Sequence, residues 1–273
     1  MVGVRNSADA RAVVGNSHVG GIMIGSWTDL SMLTDGTLAG ISDLGPLPLA
    51  VSVDEEGGRV SRLSSMIGPS PSARVLAQTQ TPDQVYTLAL GRGRQMRGLG
   101  ITIDFAPVVD VSNQGADTVI GDRSFSNDPA TVTAYAGAYA RGLRDAGVLP
   151  VLKHFPGHGF VAADSHLDTP VDTRPLAEIE HDDILPFRRL VAAGQYVGGE
   201  DSASIKTLGV SYENLGINVA KLWGMPEALL RSMRKPTGAP PQKAVEQPAE
   251  RLRWTILAAS EIADVLLQGE PAQ

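Results

Sequence analysis

The chain of 273 residues sets 23 lysines and arginines against 30 aspartates and glutamates, a formal net charge of -7, with 42% hydrophobic residues and no cysteine. This composition excludes a disordered chain over most of the length, excludes disulfides and thiolate chemistry, and lacks the basic excess expected of a nucleic-acid partner. The length suits a single α/β barrel, no segment reaches the apolar length of a membrane helix, and the acidic balance is compatible with an uncharged sugar as ligand.

The opening Met1-Val2-Gly3-Val4-Arg5 is strand-like and has neither the basic start nor the apolar core of a signal peptide, which gives the expectation of a cytoplasmic protein. Strand patterns follow at 21–27, 48–53, 101–109 and 148–152, each leading into polar or glycine-rich residues and then an amphipathic run. Helices are expected at 29–44, 82–98, 129–146 and 176–193, with Thr81 and Asp128 as N-caps. Strand, loop and helix recur, the pattern of β/α units around a parallel sheet or barrel. After about residue 195 the pattern is lost: 200–215 has no firm period, and 235–248 is rich in proline, glycine, lysine and glutamine and reads as a linker. A final helix is expected at 249–267, with Leu252, Ile256, Ala259, Ala263 and Leu266 on one face. The expected division is a β/α unit over 1–194 and a divergent tail over 195–273.

In β/α folds the loops after the C-terminal ends of the strands converge on one face and carry the site. The polar clusters of this sequence fall there. Asp54-Glu55-Glu56-Gly57-Gly58-Arg59 follows one strand pattern, Asp110 another, with Gly121-Asp122-Arg123-Ser124-Phe125 beyond it, and Lys153-His154 ends a third. The densest cluster is Lys153-His154-Phe155-Pro156-Gly157-His158-Gly159, followed shortly by Asp164-Ser165-His166. Unpaired polar groups removed from water cost kilocalories, so such a loop is expected to serve binding or catalysis. His154 and His158 have the i, i+4 spacing of a metal pair, but that spacing joins ligands only on a helix, and Pro156 with Gly157 argues against one. His18 and His181 read as surface or capping residues.

Together, Val53-Asp54-Glu55-Glu56-Gly57-Gly58-Arg59-Val60, Gly121-Asp122-Arg123-Ser124-Phe125 and the Lys153–Gly159 run with Asp164-Ser165-His166 resemble the N-terminal barrel of glycoside hydrolase family 3. The resemblance is to its β-N-acetylglucosaminidase branch and covers about residues 1–194. It implies a (β/α)8 TIM-type barrel, incomplete or altered after residue 195, and a retaining β-N-acetylhexosaminidase acting on terminal N-acetylglucosamine of cell-wall, peptidoglycan-derived glycans. It implies no metal or organic cofactor. By the same resemblance His166 is the proton donor, paired with Asp164, and Asp54, Arg123, Lys153 and His154 are sugar-binding. An imidazole near its pKa can give and retake a proton while a neighbouring carboxylate orients it. Asp54 can accept hydroxyl hydrogen bonds, and Arg123 offers a planar fork. These four also read as an internal ion-pair set tying barrel loops together, and both readings can hold at once. Arg59 reads as a loop clamp, and Glu55 and Glu56 as structural.

Retaining hydrolysis also needs a carboxylate nucleophile. The family's aspartate-rich motif is not found: no aspartate lies between Asp201 and Asp264, and Glu213, Glu227, Glu246 and Glu250 do not end convincing apolar strands. Asp201, in Gly198-Gly199-Glu200-Asp201-Ser202, is the nearest substitute, although it comes early for the family's order. The alternative expectation is a catalytically impaired remnant that binds amino sugar without cleaving it.

Overall fold

The structure, a computed structural model, describes residues 1–45, 47–161, 163–164, 170–192, 214, 217–218, 221, 227 and 230. The chain forms two compact units, Met1–Val197 and Gly198–Gln273. The first begins with β1 (Val2–Val4), α1 (Ser7–Ser17), β2 (Gly21–Ile24), a 3₁₀ turn (Leu30–Leu33), α2 (Thr37–Ser42), β3 (Ala50–Val53) and the strand pair β4 (Glu55–Gly57) and β5 (Val60–Ser61). It continues with α3 (Ser64–Ile67), α4 (Ala73–Thr79), α5 (Pro82–Gly98), β6 (Ile103–Asp104), a 3₁₀ turn (Gly121–Arg123), α6 (Pro129–Asp145) and β7 (Leu149–Pro150). A last helical run comprises α7 (Leu176–Ile179), a π-helical turn (Glu180–Ile184) and α8 (Leu185–Ala192).

The sheet order is β1-β2-β3-β6-β7, every neighbouring pair parallel. Parallel neighbours joined in chain order require helical crossovers on one face, so the fold is α/β, and the described residues supply five consecutive strands in the arrangement of a TIM-type barrel. Val4, Ile22, Ile24, Val51 and Val53 are buried in the core shared with Ala10 and Val14 of α1. Ser52, also buried, donates its hydroxyl to Ile22 O at 3.2 Å.

α5 and α6 start where their caps predict. Thr81 and Gln84 form a reciprocal capping box ahead of Pro82, and Asp128 accepts from Thr131 N ahead of Pro129. The two helices pack closely because Gly142 leaves room: a Cβ there would lie 2.6 Å from Tyr86 O and 2.7 Å from Ala89 Cβ. Val85, Ala89 and Met96 of one helix and Val132, Ala136, Tyr139 and Leu143 of the other are buried.

Three expected elements differ. The helix at 29–44 is two short pieces, because the first ends at Thr34 and the second starts afresh, with Asp35 capping Thr37 N and Gly36 at φ 79°, a left-handed conformation that a continuous helix does not allow. The strand at 101–109 pairs regularly only over β6 and then through the isolated bridge Val108–Lys153; the intervening Pro107 has no N–H for the ladder. The helix at 176–193 is one continuous run with a π-helical turn inside it. α1 was not signalled by the sequence: it starts at the Asn6 cap and ends on His18 at φ 52°, but buries only Ala10 and Val14. Within the second unit Asn214, Ile217, Asn218, Lys221, Glu227 and Leu230 are helical, with Ile217 and Leu230 buried. The linker and helix expected at 235–248 and 249–267 lie outside the described residues. Among the described residues no helix is long and apolar enough to cross a membrane.

Candidate active site

Parallel strands deliver their C-terminal ends to one rim, and the polar loop residues meet there. Lys153 Nζ lies 2.7 Å from Asp54 Oδ1 and 2.5 Å from Glu56 Oε1. Arg123 forms a two-pronged pair with Glu56, Nε to Oε2 and Nη2 to Oε1 both at 2.8 Å, and its Nη1 donates to Val119 O at 3.0 Å. The same Nη2 is 3.2 Å from His154 Nε2, and His154 Nδ1 is 2.6 Å from Asp110 Oδ2. An unbroken polar arc therefore runs Asp54, Lys153, Glu56, Arg123, His154, Asp110, drawn from loops that the sequence separates by up to 100 positions. Behind it Glu56 and Arg123 line a small recess with Ala73, Pro107, Val108, Phe125 and Tyr139.

The electrostatics follow from this geometry. Burial alone would raise the Glu56 carboxyl, but the hydrogen bond from Arg123 and the charge of Lys153 outweigh it and hold Glu56 below the ordinary carboxylate range. Burial opposes the charge of Arg123, and its hydrogen bonds with Glu56 prevail, keeping the guanidinium charged beyond its ordinary range. Beneath the arc, burial pushes Asp104 well above the usual range, reinforced by the charge of Glu55 against a single backbone hydrogen bond from Glu55 N.

The structure brings Asp54, Arg123, Lys153 and His154 together. Asp164 is half-buried, and His166 lies outside the described residues. Glu55 is fully buried and accepts from Ser61 Oγ, the backbone N–H groups of Arg62 and Leu63, and Arg92 Nη2. Arg59 clamps the loop carbonyls of Val119 and Ile120 and lies 3.4 Å from Asp122. His18 caps α1, and His181, largely exposed, pairs with Asp182 at 2.8 Å. Sequence reasoning missed Arg74, which donates to the carbonyls of Gln114, Ser112 and Gly121 and ties down the loop that carries Arg123. No local signal could have found it, since its partners lie about 40 residues away. Among the described residues no group of three or more histidines and carboxylates is arranged to hold a metal ion.

The loop after His154 is wedged against the last helical run. Phe155 meets Phe187 edge to face at 5.4 Å, and Gly157 abuts Asp183 so closely that a Cβ would stand 2.5 Å from the Asp183 side chain. Asp183 accepts from Arg174 Nη2 at 2.6 Å, and the Arg174 guanidinium lies 3.8 Å over the Phe160 ring. Burial pushes the Asp183 carboxyl up to about 6 against the opposing hydrogen bond of Arg174. Because the folded value exceeds the unfolded one of about 3.9, Asp183 contributes stability that is full below about pH 4 and lost as pH rises through about 6. The Asp183→Asn variant is therefore expected to gain melting temperature relative to the parent as pH goes from 4 to 7. Thermal denaturation across that range checks it; a constant difference would contradict the assignment.

The sequence matches the glycosyl hydrolase family 3 N terminal domain over residues 1–197. It is 69% identical over 193 residues to the β-hexosaminidase LpqI of Mycobacterium tuberculosis, covering 70% of this chain and 49% of that protein. A solved family 3 glycosyl hydrolase of Mycobacterium smegmatis superposes with a TM-score of 0.68 at 69% identity, over 70% of this chain and 58% of the other. NagZ from Neisseria gonorrhoeae, solved in complex with N-trifluoroacetyl-D-glucosamine, superposes with a TM-score of 0.63 at 31% identity, over 71% of this chain and 60% of that one. The chain thus spans about half the length of the curated β-hexosaminidases LpqI that it matches.

Proposed function

The chain belongs to glycosyl hydrolase family 3, and on that premise we propose that its rim binds terminal N-acetylglucosamine of cell-wall, peptidoglycan-derived glycans and serves a retaining β-N-acetylhexosaminidase. The observation that carries this reading is the convergence of Asp54, Arg123, Lys153 and His154 in one hydrogen-bonded arc at the strand ends. Such an arc matches a sugar, whose ring hydroxyls each donate and accept: Asp54 accepts, Lys153 and Arg123 donate. In a double displacement, a carboxylate attacks the anomeric carbon while a general acid protonates the departing glycosidic oxygen. Water, deprotonated by the same group, then attacks that carbon and releases the carboxylate. In this proposal His166 is the acid and base, oriented by Asp164, and no metal or organic cofactor takes part. LpqI is named a β-hexosaminidase and the Neisseria enzyme holds an N-acylated glucosamine, which supports the sugar class.

A second reading, amino-sugar binding without cleavage, is favoured by one observation: no aspartate stands between Asp201 and Asp264, where the family's nucleophile motif is expected. One assay separates the two. The enzyme reading predicts release of the chromophore from an aryl N-acetyl-β-glucosaminide, falling by several orders of magnitude in His166→Ala. Turnover no greater than that of the variant sinks the enzyme reading and leaves binding.

A further inference from the structure

The His154 ring is held at both ends by groups that hydrogen-bond in one sense only. At Nδ1 stands a carboxylate oxygen of Asp110, 2.6 Å away, and at Nε2 a guanidinium nitrogen of Arg123, 3.2 Å away. An ionised carboxylate accepts and a guanidinium donates. One form of the imidazole satisfies both: neutral, with its proton on Nδ1 and a bare lone pair on Nε2. The other tautomer sets lone pair against carboxylate and N–H against N–H, and the imidazolium still sets N–H against N–H at Arg123. Neither neighbour can turn away at low cost. Asp110 has no exposed surface, and its second oxygen accepts the backbone N–H groups of His154 at 3.3 Å and His158 at 2.8 Å. Arg123 is fixed by both oxygens of Glu56 and by Val119 O.

We infer that Asp110 is a positioning residue that locks His154 in its neutral Nδ1–H tautomer and makes its Nε2 a dedicated hydrogen-bond acceptor for a sugar hydroxyl. The inference rests on the rim being a sugar site. In the free protein the Nε2 lone pair faces Arg123 Nη2; a sugar hydroxyl takes over that direct contact, donating to His154 Nε2 and accepting from the freed N–H of Arg123 Nη2, a chain in which each hydrogen bond strengthens the next. An ether oxygen at that place can accept but has nothing to donate, so this end of the arc selects for a free hydroxyl. His154 then grips and does not donate a proton, which leaves proton transfer to the pair assigned above. Asp110 also holds two amides of the Lys153–Gly159 loop, so one carboxylate sets both the loop's path and the chemical sense of its first imidazole.

The test is side-chain ¹H–¹⁵N long-range NMR of the full chain near pH 7.5, with the His154 signals identified by their loss in His154→Asn. The parent is expected to show the Nδ1–H pattern. Asp110→Asn has the same shape; the backbone N–H groups of His154 and His158 hold its carbonyl, because an NH₂ there would face two donors, so its NH₂ faces Nδ1. The ring should then switch to the Nε2–H pattern, and N-acetylglucosamine affinity, read by titration calorimetry, should fall by about tenfold or more, the scale of one charge-assisted hydrogen bond. An Nε2–H pattern in the parent overturns the inference without any variant, and so does an Nδ1–H pattern that persists in Asp110→Asn. If the tautomer switches while neither protein binds N-acetylglucosamine, the positioning role stands and the sugar-site reading falls.

Discussion

Glu55→Ala is expected to destabilise the fold by about 3–5 kcal/mol, the range found when one partner of a buried ion pair is removed. Glu55 is fully buried and gathers four donors: Arg92 Nη2 at 2.6 Å, Ser61 Oγ at 2.6 Å, and the N–H groups of Arg62 and Leu63 at 2.8 Å each. Alanine leaves the buried Arg92 with its charge unpaired, retaining only a bond to Gly68 O, and takes the acceptor from the buried amide of Leu63 and the half-buried amide of Arg62. For a unit of this size the loss corresponds to a melting temperature lower by about 10 °C. Thermal and urea denaturation measure it. The double variant Glu55→Met with Arg92→Met should recover much of the loss, since it strands no charge. A loss under about 1 kcal/mol would mean that water reaches Arg92 and screens it.

The other large effect is on binding and is expected to be nearly silent in stability. In Asp54→Ala, Lys153 keeps Glu56 at 2.5 Å, so the arc loses its outer member without stranding a cation. The melting temperature should move by no more than a few degrees. N-acetylglucosamine affinity should fall about 10- to 100-fold, because hydrogen bonds to a charged group contribute about 1.5–3 kcal/mol. Titration calorimetry on the parent and variant reads the difference directly. The same comparison divides the two roles that the sequence leaves open for this set. A residue that only ties loops together changes stability and binding in step, whereas a sugar-contacting carboxylate changes binding alone. Unchanged affinity would remove Asp54 from the site.

Local signals were legible in the sequence and long-range ones were not. Thr81 and Asp128, each followed by proline, mark the starts of α5 and α6 because capping is decided within one turn of chain. The Lys153–Gly159 loop stood out for the same reason: its charges are contiguous. Asp110 was legible only as a polar residue after a strand pattern. Its work depends on His154, 44 residues on, which the parallel alignment of β6 and β7 and the Val108–Lys153 bridge bring alongside. Arg92 and Arg74 sit on helices where arginine is an ordinary surface choice, and only tertiary packing turns them inward to Glu55 and to the loop before Arg123. The helix expected at 29–44 failed at Asp35 and Gly36, where a side-chain cap and a left-handed residue override an amphipathic pattern that reads continuously across them.

Glu56 is a shared partner: both of its oxygens are engaged, by Arg123 from one loop and Lys153 from another. That sharing limits how these loops can diverge over evolutionary time. Exchanging Lys153 for a neutral side chain leaves a carboxylate still matched by Arg123, and the reverse holds for Arg123, so either step is survivable alone. Exchanging Glu56 first leaves Arg123 without its carboxylate partner, while Lys153 keeps Asp54 at 2.7 Å. Among descendants, a change at Arg123 is therefore expected to precede any change at Glu56, an order of substitution set by the coupling of side chains in contact.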